Sequence, residues 1–540
     1  MPYLDTYTVP LTAHTAAHLL RRATMGPTRQ EIVDFTGLTP AQAVARLSAN
    51  VSFTASPPPP IDYDETQPTA GQQFLNLPYS TQRRVAFNIF LRYWWVGLMC
   101  EQNGNPSILE KLTAFWQNHF IVGQGTIGDY RISYKFLTLL RSKGLGSFRN
   151  LMIEITKDPG MLLFQNGNVN QKVSPNENYA RELQELFVVG EKNFAGQKNY
   201  TEDDVKEAAR VLTGWQVFSD VNTFSSGFTA ARHDTANKTF SSYYNNTVIQ
   251  GRFDASAGDS ELAELIDMLL RHSESSKHIC RKLYRWYVNP NVTQEIENNV
   301  ISPLASFFAS PANNFAIQPV LEKLLSSEIF YQESNVGAII KSPTEFAIGM
   351  VRFFGQEIPD KTTDYVAFRK MMEFVHWNMA GLQLDLLNQP LVFGSIAYYQ
   401  TGYSKNWING NALGIRGVQI DKFVHPYIEY KPGKLIGIDF LAWIKSLQPN
   451  FSDVANTPSI TCELVFEELS KNLFAFDLTA PQKNFLIDTI MMKSLPRSTF
   501  TREMTNLRND PNNINNKNAV MWRGGLVMRY MMRMAEYHIF

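Results

Sequence analysis

Between Ser174 and Gly190 the sequence places Glu177, Glu182 and Glu185 within nine residues, with Arg181 among them. Ser174, Pro175 and Glu177 read as a helix start: a hydroxyl cap, a proline at the first helical position, and a glutamate reaching back to the cap amide. Gly190 reads as the stop. At about 100° per residue Asn178, Glu182 and Glu185 share one side, with Arg181 at its edge, and Tyr179, Leu183, Leu186 and Phe187 form the apolar side. Carboxylates one turn apart repel each other. Such a pair is a solvated face balanced by Arg181, a couple whose pKa values split for acid/base work, or a seat for a divalent ion.

His119 lies on a stripe with Leu112, Phe115 and Trp116. An imidazole there is either a hydrogen-bonded core residue or, with its pKa lowered by the aromatic setting, a general base near neutrality. His233-Asp234 falls in an irregular stretch with Lys238 four residues on. That pair is a turn, a metal-ligand set or an acid/base dyad. Asp203 and Asp204 follow Thr201 and read as ordinary first-turn partners of a helix dipole. The candidate catalytic residues are therefore Glu177, Glu182, Glu185, His119, His233 and Asp234. A divalent metal is the only cofactor the pattern suggests, and no ligand set for it can be specified.

The elements that must position these groups are helical. Apolar residues at helical spacing predict helices over 11–24, 80–101, 107–120, 131–142, 147–157, 174–189, 201–215, 260–272, 275–287, 319–326, 343–354, 464–473, 481–493 and 518–535. The expected fold is all-α: one large helical domain with two long irregular insertions near 216–252 and 389–430, the first containing at most a small hairpin. Residues 1–49 form N-terminal helices, 50–78 a Pro-rich connection over the surface, and 79–540 the main domain.

Composition narrows the function classes. The chain has 540 residues, 44% of them hydrophobic, enough to bury a substantial core. Fifty basic side chains balance fifty acidic ones. That removes the basic excess expected of a nucleic-acid binder. Cys100, Cys280 and Cys462 are too scattered for a disulfide ladder or a zinc pair. No stretch of about 18 apolar residues suggests a membrane span. With no basic-then-apolar leader at Met1 to Pro10, the expected location is cytoplasmic. Phosphate-loop, zinc-helix, nucleophile-elbow and dinucleotide-binding patterns do not occur.

Several strings resemble the bacterial family called domain of unknown function 1800, in a Bacteroidetes-like branch. They are Ala17-His18-Leu19-Leu20-Arg21-Arg22-Ala23-Thr24-Met25-Gly26-Pro27, Lys111 through Phe120, Asn176 through Phe187, Tyr200 through Val205 with Leu212 through Trp215, His233-Asp234, Arg281 through Val288, and Lys341-Ser342-Pro343-Thr344-Glu345-Phe346. From these strings Asn176, Asn178, Arg181, Trp116 and Lys111 are taken as candidate substrate-binding residues. The resemblance implies a helical fold and no reaction. It also implies a companion protein of family number 1501, similar to sulfatases, and with it periplasmic location by co-export. One string departs: Gln389 through Ala397 stands where relatives carry Pro-Pro-Asn/Ser-Val-x-Gly-Trp-Pro, so a pocket lined by that loop is altered here.

Two functions follow as expectations. The first is an acid/base hydrolase of a glycan or ester, in which the Glu182 helix, His119 and the His233 loop meet in one wet cleft, with or without a divalent ion. The second is a non-catalytic binding, assembly or export partner of the sulfatase-like companion, docking through Tyr398, Tyr399, Tyr403 and Trp407. A buried polar network that only specifies the fold is the third reading of the same residues.

Overall fold

The computed structural model describes residues 3–49, 57–101, 105–389, 392–398, 403–447 and 460–540. Tyr399 lies outside these, as does the side chain of Tyr403. The chain is mostly helical, as the periodicity predicts, and no described helix is long and apolar enough to cross a membrane. Among the described residues strands occur only as three antiparallel pairs, Trp215–Ser219 with Phe224–Phe228, Lys238–Thr239 with Val248–Ile249, and Glu429–Lys431 with Lys434–Leu435. The first irregular insertion therefore contains two small hairpins.

Local chemistry sets the helix starts. Thr12, Thr28, Thr201 and Ser342 close reciprocal capping boxes before Ala13–Ala23, Arg29–Phe35, Glu202–Val211 and Pro343–Phe353. The capping box expected at Ser174 is absent. Ser174 pairs with Gln171 in a tight bridge, and the helix begins at Asn178, whose amide is held by the Asn176 side chain at 3.0 Å. The expected irregular region near 389–430 likewise contains a helix, Gly410–Val424, capped by Asn409. Helix Tyr365–Ala380 also lies outside the helices expected from the sequence, although Phe368, Met371, Met372, Val375 and Met379 give it a buried stripe. The connection near 50–78 is not wholly superficial, because Ile61, Asp62, Tyr63 and Phe74 are buried.

Among the described residues the apolar interior divides into two large cores and a small third cluster of Leu384, Ala397 and Trp407. One core joins helices of the first 49 residues to those between 108 and 330, and includes Leu19, Phe115, Phe187, Leu269 and Trp286. The other joins Met25 and residues 61–137 to those between 346 and 537, and includes Trp94, Phe346, Met371, Ile420 and Met528. Helices Ala13–Ala23, Leu109–His119 and Pro343–Phe353 run along the seam between them.

Candidate active site

Glu182 and His119 do not share a wet cleft. Helix Asn178–Glu182 continues into a π-helical turn, Leu183–Val188, which Gly190 ends at φ +88° with its amide on the Gln184 carbonyl. The carbonyls of Leu186 and Phe187 then need donors from elsewhere. Three side chains supply them: His278 Nε2 donates to Leu186 at 2.9 Å, Lys282 Nζ to Leu186 at 2.8 Å, and His119 Nε2 to Phe187 at 3.1 Å. His119 Nδ1 in turn accepts from Lys282 Nζ at 3.0 Å. Burial, then the Lys282 charge, holds the His119 pKa well below that of a free imidazole. His119 is thus a neutral donor closing a helix end inside the core.

Glu182 is half-buried and meets no hydrogen-bond or ion-pair partner among the described residues. Its pKa rises to about 7, through burial and then the nearby Glu185. Glu185 accepts from Tyr200 at 3.3 Å. Glu177 pairs with Arg181 at 3.2 Å, and Arg181 also holds Glu202 at 2.7 Å. Asn178 is exposed.

The His233 loop forms a separate buried knot. His233 lies 3.1 Å from the Glu261 carboxylate, which also takes Lys238 Nζ at 2.6 Å and the Arg252 amide at 2.7 Å. Burial raises the Glu261 pKa, but the bonds from His233 and Lys238 outweigh it and leave the carboxyl below its ordinary range. Asp234 is held by Arg210 at 2.8 Å. No described contact links this knot to His119 or Glu182. Among the described residues no group of three or more His, Cys, Asp or Glu side chains is placed to hold a metal ion.

The polar groups that do converge lie at the seam between the two cores. Lys111, 1% exposed, is ion-paired with Glu345 from the start of Pro343–Phe353. The second Glu345 oxygen accepts the Ser342 amide at 2.7 Å, so the capping box aims the carboxylate at Lys111. Burial and then the Arg22 charge lower the Lys111 pKa well below that of a free amine. The ammonium also sits 5.4 Å from the Trp286 ring centre and 5.3 Å from that of Phe540.

Beside this pair is a cavity of about 20 Å³, lined by Gln117, Asn118, Trp286, Ser342, Gln389 and Tyr398 among others. Gln117 and Gln389 exchange two amide hydrogen bonds of 2.6 and 2.8 Å. Tyr398 lies against Trp286 with ring centres 4.2 Å apart. Gly394 has φ +68°, and a Cβ there would lie 2.3 Å from the Asn118 carbonyl, so only glycine lets this segment close over the helix. The neighbouring Ser395 amide donates to Asn118 Oδ1 at 2.8 Å. Arg92 anchors the preceding turn through Asp385 at 2.7 Å. Two buried donors of residues that line this cavity, Asn118 Nδ2 and Trp286 Nε1, have no partner among the described residues.

Of the residues singled out from the sequence, Lys111 is at this site. Trp116 is next to it in sequence but spends its indole N–H on the Gly144 carbonyl at 2.8 Å, inside the core. Glu345, Asn118, Gln117 and Trp286 were missed as site residues, although all four fall in the familiar strings. The departing string, Gln389 to Ala397, supplies Gln389 and the Gly394–Ser395 contact to the cavity wall. Of the aromatics expected to dock a partner, Trp407 is buried and Tyr398 is half-buried against Trp286. A family model described as a protein of unknown function, DUF1800, matches residues 18–539. Neither the curated proteins nor the solved structures contain a match.

Proposed function

Because the chain belongs to the DUF1800 family, whose description assigns no activity, we propose from its own geometry that it is an acid/base hydrolase centred on Lys111 and Glu345. One observation supports this reading: a buried lysine–carboxylate pair shares the lining of a cavity that holds about one water with Asn118 and Trp286, whose Nδ2 and Nε1 find no partner among the described residues. Unpaired buried donors are costly, and their use is to receive negative charge that develops during reaction. The Lys111–Glu345 pair takes a proton from the attacking water. The water oxygen bonds to an acyl carbon, whose carbonyl oxygen gains the charge and meets the two donors. The bond to the leaving group then breaks, and the proton passes to that group.

This keeps the acid/base chemistry expected from the sequence and moves it from Glu182 and His119 to the seam. The test is hydrolysis of a panel of chromogenic acyl esters, with and without added Mg²⁺ or Zn²⁺. Glu345→Gln and Lys111→Met should each lower kcat/KM at least 100-fold, while Glu182→Gln leaves it unchanged. A wild-type chain inactive across the panel, or a Glu345→Gln variant of full activity, overturns the reading.

A further inference from the structure

A second cavity, of about 40 Å³, lies on the other side of Glu345. Its wall includes Arg21, Lys341, Glu345, Asn472, Tyr537 and the Gly26 turn. By the space one water needs, it takes roughly three oxygen-sized atoms. Its charges do not balance. Arg21 spends one nitrogen on the Asn472 carbonyl at 2.7 Å and meets no carboxylate among the described residues. The Lys341 ammonium lies 3.9 Å from the Tyr537 ring centre and has no hydrogen-bond acceptor among the described residues. Arg416, behind Lys341, donates to the Lys341 carbonyl at 2.7 Å. Arg22, on the other flank, holds the Val288 and Asn335 carbonyls at 2.8 and 2.6 Å. Among the side chains of this wall one carboxylate, Glu345, which already serves Lys111, stands with the cations Arg21 and half-buried Lys341, and Arg22 and Arg416 lie behind them.

Burial depresses all of these bases, Arg21 and Arg416 to about 10 and Arg22 to about 9. Lys341 falls well below an ordinary amine, through burial first and then the Arg21 and Arg416 charges. Desolvated cations held together without counter-charge are a cost to the fold that a bound anion removes. The Gly26 turn, at φ +108° and with a Cβ position only 3.2 Å from Gly349 Cα, brings backbone rather than side chain to this wall.

We infer that the cavity lined by Arg21 and Lys341 is an oxyanion site, and that the substrate carries a carboxylate or phosphate anchored there, beside the Glu345 carboxylate that borders both cavities. The substrate-class part rests on the proposed hydrolase centre; the anion site does not. The shared chemistry is a group with two or three terminal oxygens, which arginine takes as a fork and lysine as a point charge.

The experiment is calorimetric titration of the full chain with sodium phosphate and, separately, sodium acetate, at ionic strength fixed by chloride. One of the two should bind the wild type, which identifies the anion. Lys341→Met and Arg21→Met should each weaken that binding about 10- to 100-fold. Glu345→Gln should bind the anion as well or better, since it removes the one negative side chain of the wall, while abolishing turnover. No binding of either anion to the wild type, or binding that survives both cation substitutions, overturns the anion site. Anion binding with Glu345→Gln fully active overturns the hydrolase centre and leaves the anion site standing.

Discussion

Removing Glu345 should hurt the fold more than removing its partner Lys111, and the asymmetry follows from the cation surplus. Glu345→Gln keeps the capping contact to the Ser342 amide, because a glutamine oxygen can accept it, and deletes only the charge. It strands the Lys111 ammonium, 1% exposed, beside Arg22. A stranded buried charge costs about 3–5 kcal/mol. Lys111→Met strands the carboxylate instead, but Glu345 still borders the cavity of Arg21 and Lys341, so the cost should be smaller than that of Glu345→Gln. The double variant strands nothing and should cost no more than Lys111→Met. The Glu345→Gln cost should also fall as pH rises. The lowered Lys111 pKa means the unfolded chain binds the extra proton, so stability is regained as the buried amine goes neutral. Urea denaturation followed by tryptophan fluorescence, with a common slope across variants, reads these differences at pH 7 and pH 9. If Lys111→Met costs as much as Glu345→Gln, or if the two losses add in the double variant, the surplus of positive charge at the seam is not real.

Three further outcomes are expected. Glu182, raised to about 7, binds a proton in the folded chain that the unfolded chain releases near its ordinary value, so its contribution is present below about pH 4.5 and lost as pH climbs through 7. Glu182→Gln should therefore stabilise the chain at pH 8 by about 1 kcal/mol, solvent screening holding it there, and do nothing at pH 4; denaturation midpoints at both pH values check this. Gly190→Ala should destabilise by more than 1 kcal/mol in thermal unfolding, since φ is +88° and the new Cβ would lie 2.8 Å from His278 Nδ1. Glu261→Gln should cost about 3–5 kcal/mol by urea midpoint, because it strands Lys238 at zero exposure; a loss under 1 kcal/mol would show that the His233 knot is not held by that charge.

The fold was legible where apolar spacing and caps agreed. Helices such as Ser273–Tyr287 and Pro343–Phe353 announce themselves by a stripe of core residues behind a capping side chain. Tyr365–Ala380 has such a stripe, Phe368, Met371, Met372, Val375 and Met379, but no capping side chain before it, whereas glycines interrupt the stripe of Gly410–Val424 and tertiary packing decides its state. At Ser174 the capping pattern was good and still lost: Asn176, two residues on, offered the Asn178 amide its own acceptor and started the helix later. Glu182 and Glu185 drew attention by local density, whereas Lys111 and Glu345 are 234 residues apart, and nothing local in either helix marks them as partners. The signal that did exist was the resemblance: the strings around Arg21, Lys111, Trp286 and Glu345 lie far apart in the chain and meet at one seam.

That meeting bears on why the cluster is there. A purely structural seam between two apolar cores would be better served by matched apolar side chains, since replacing a buried ion pair with well-packed hydrophobes is often neutral or stabilising. Here the seam instead carries Lys111, Lys341, Arg21, Arg22 and Arg416 against one carboxylate side chain, and leaves the indole of Trp286 and the amide of Asn118 unsatisfied. The His233 knot shows what the same chain does when a buried lysine is only structural: Lys238 is matched by Glu261 and the Asp234 carbonyl, the carboxylate takes a further bond from the Arg252 amide, and the cluster borders neither seam cavity. The contrast within one molecule separates a network that closes on itself from one that is left open, and an open set of buried cations and donors is useful only to something that arrives with negative charge.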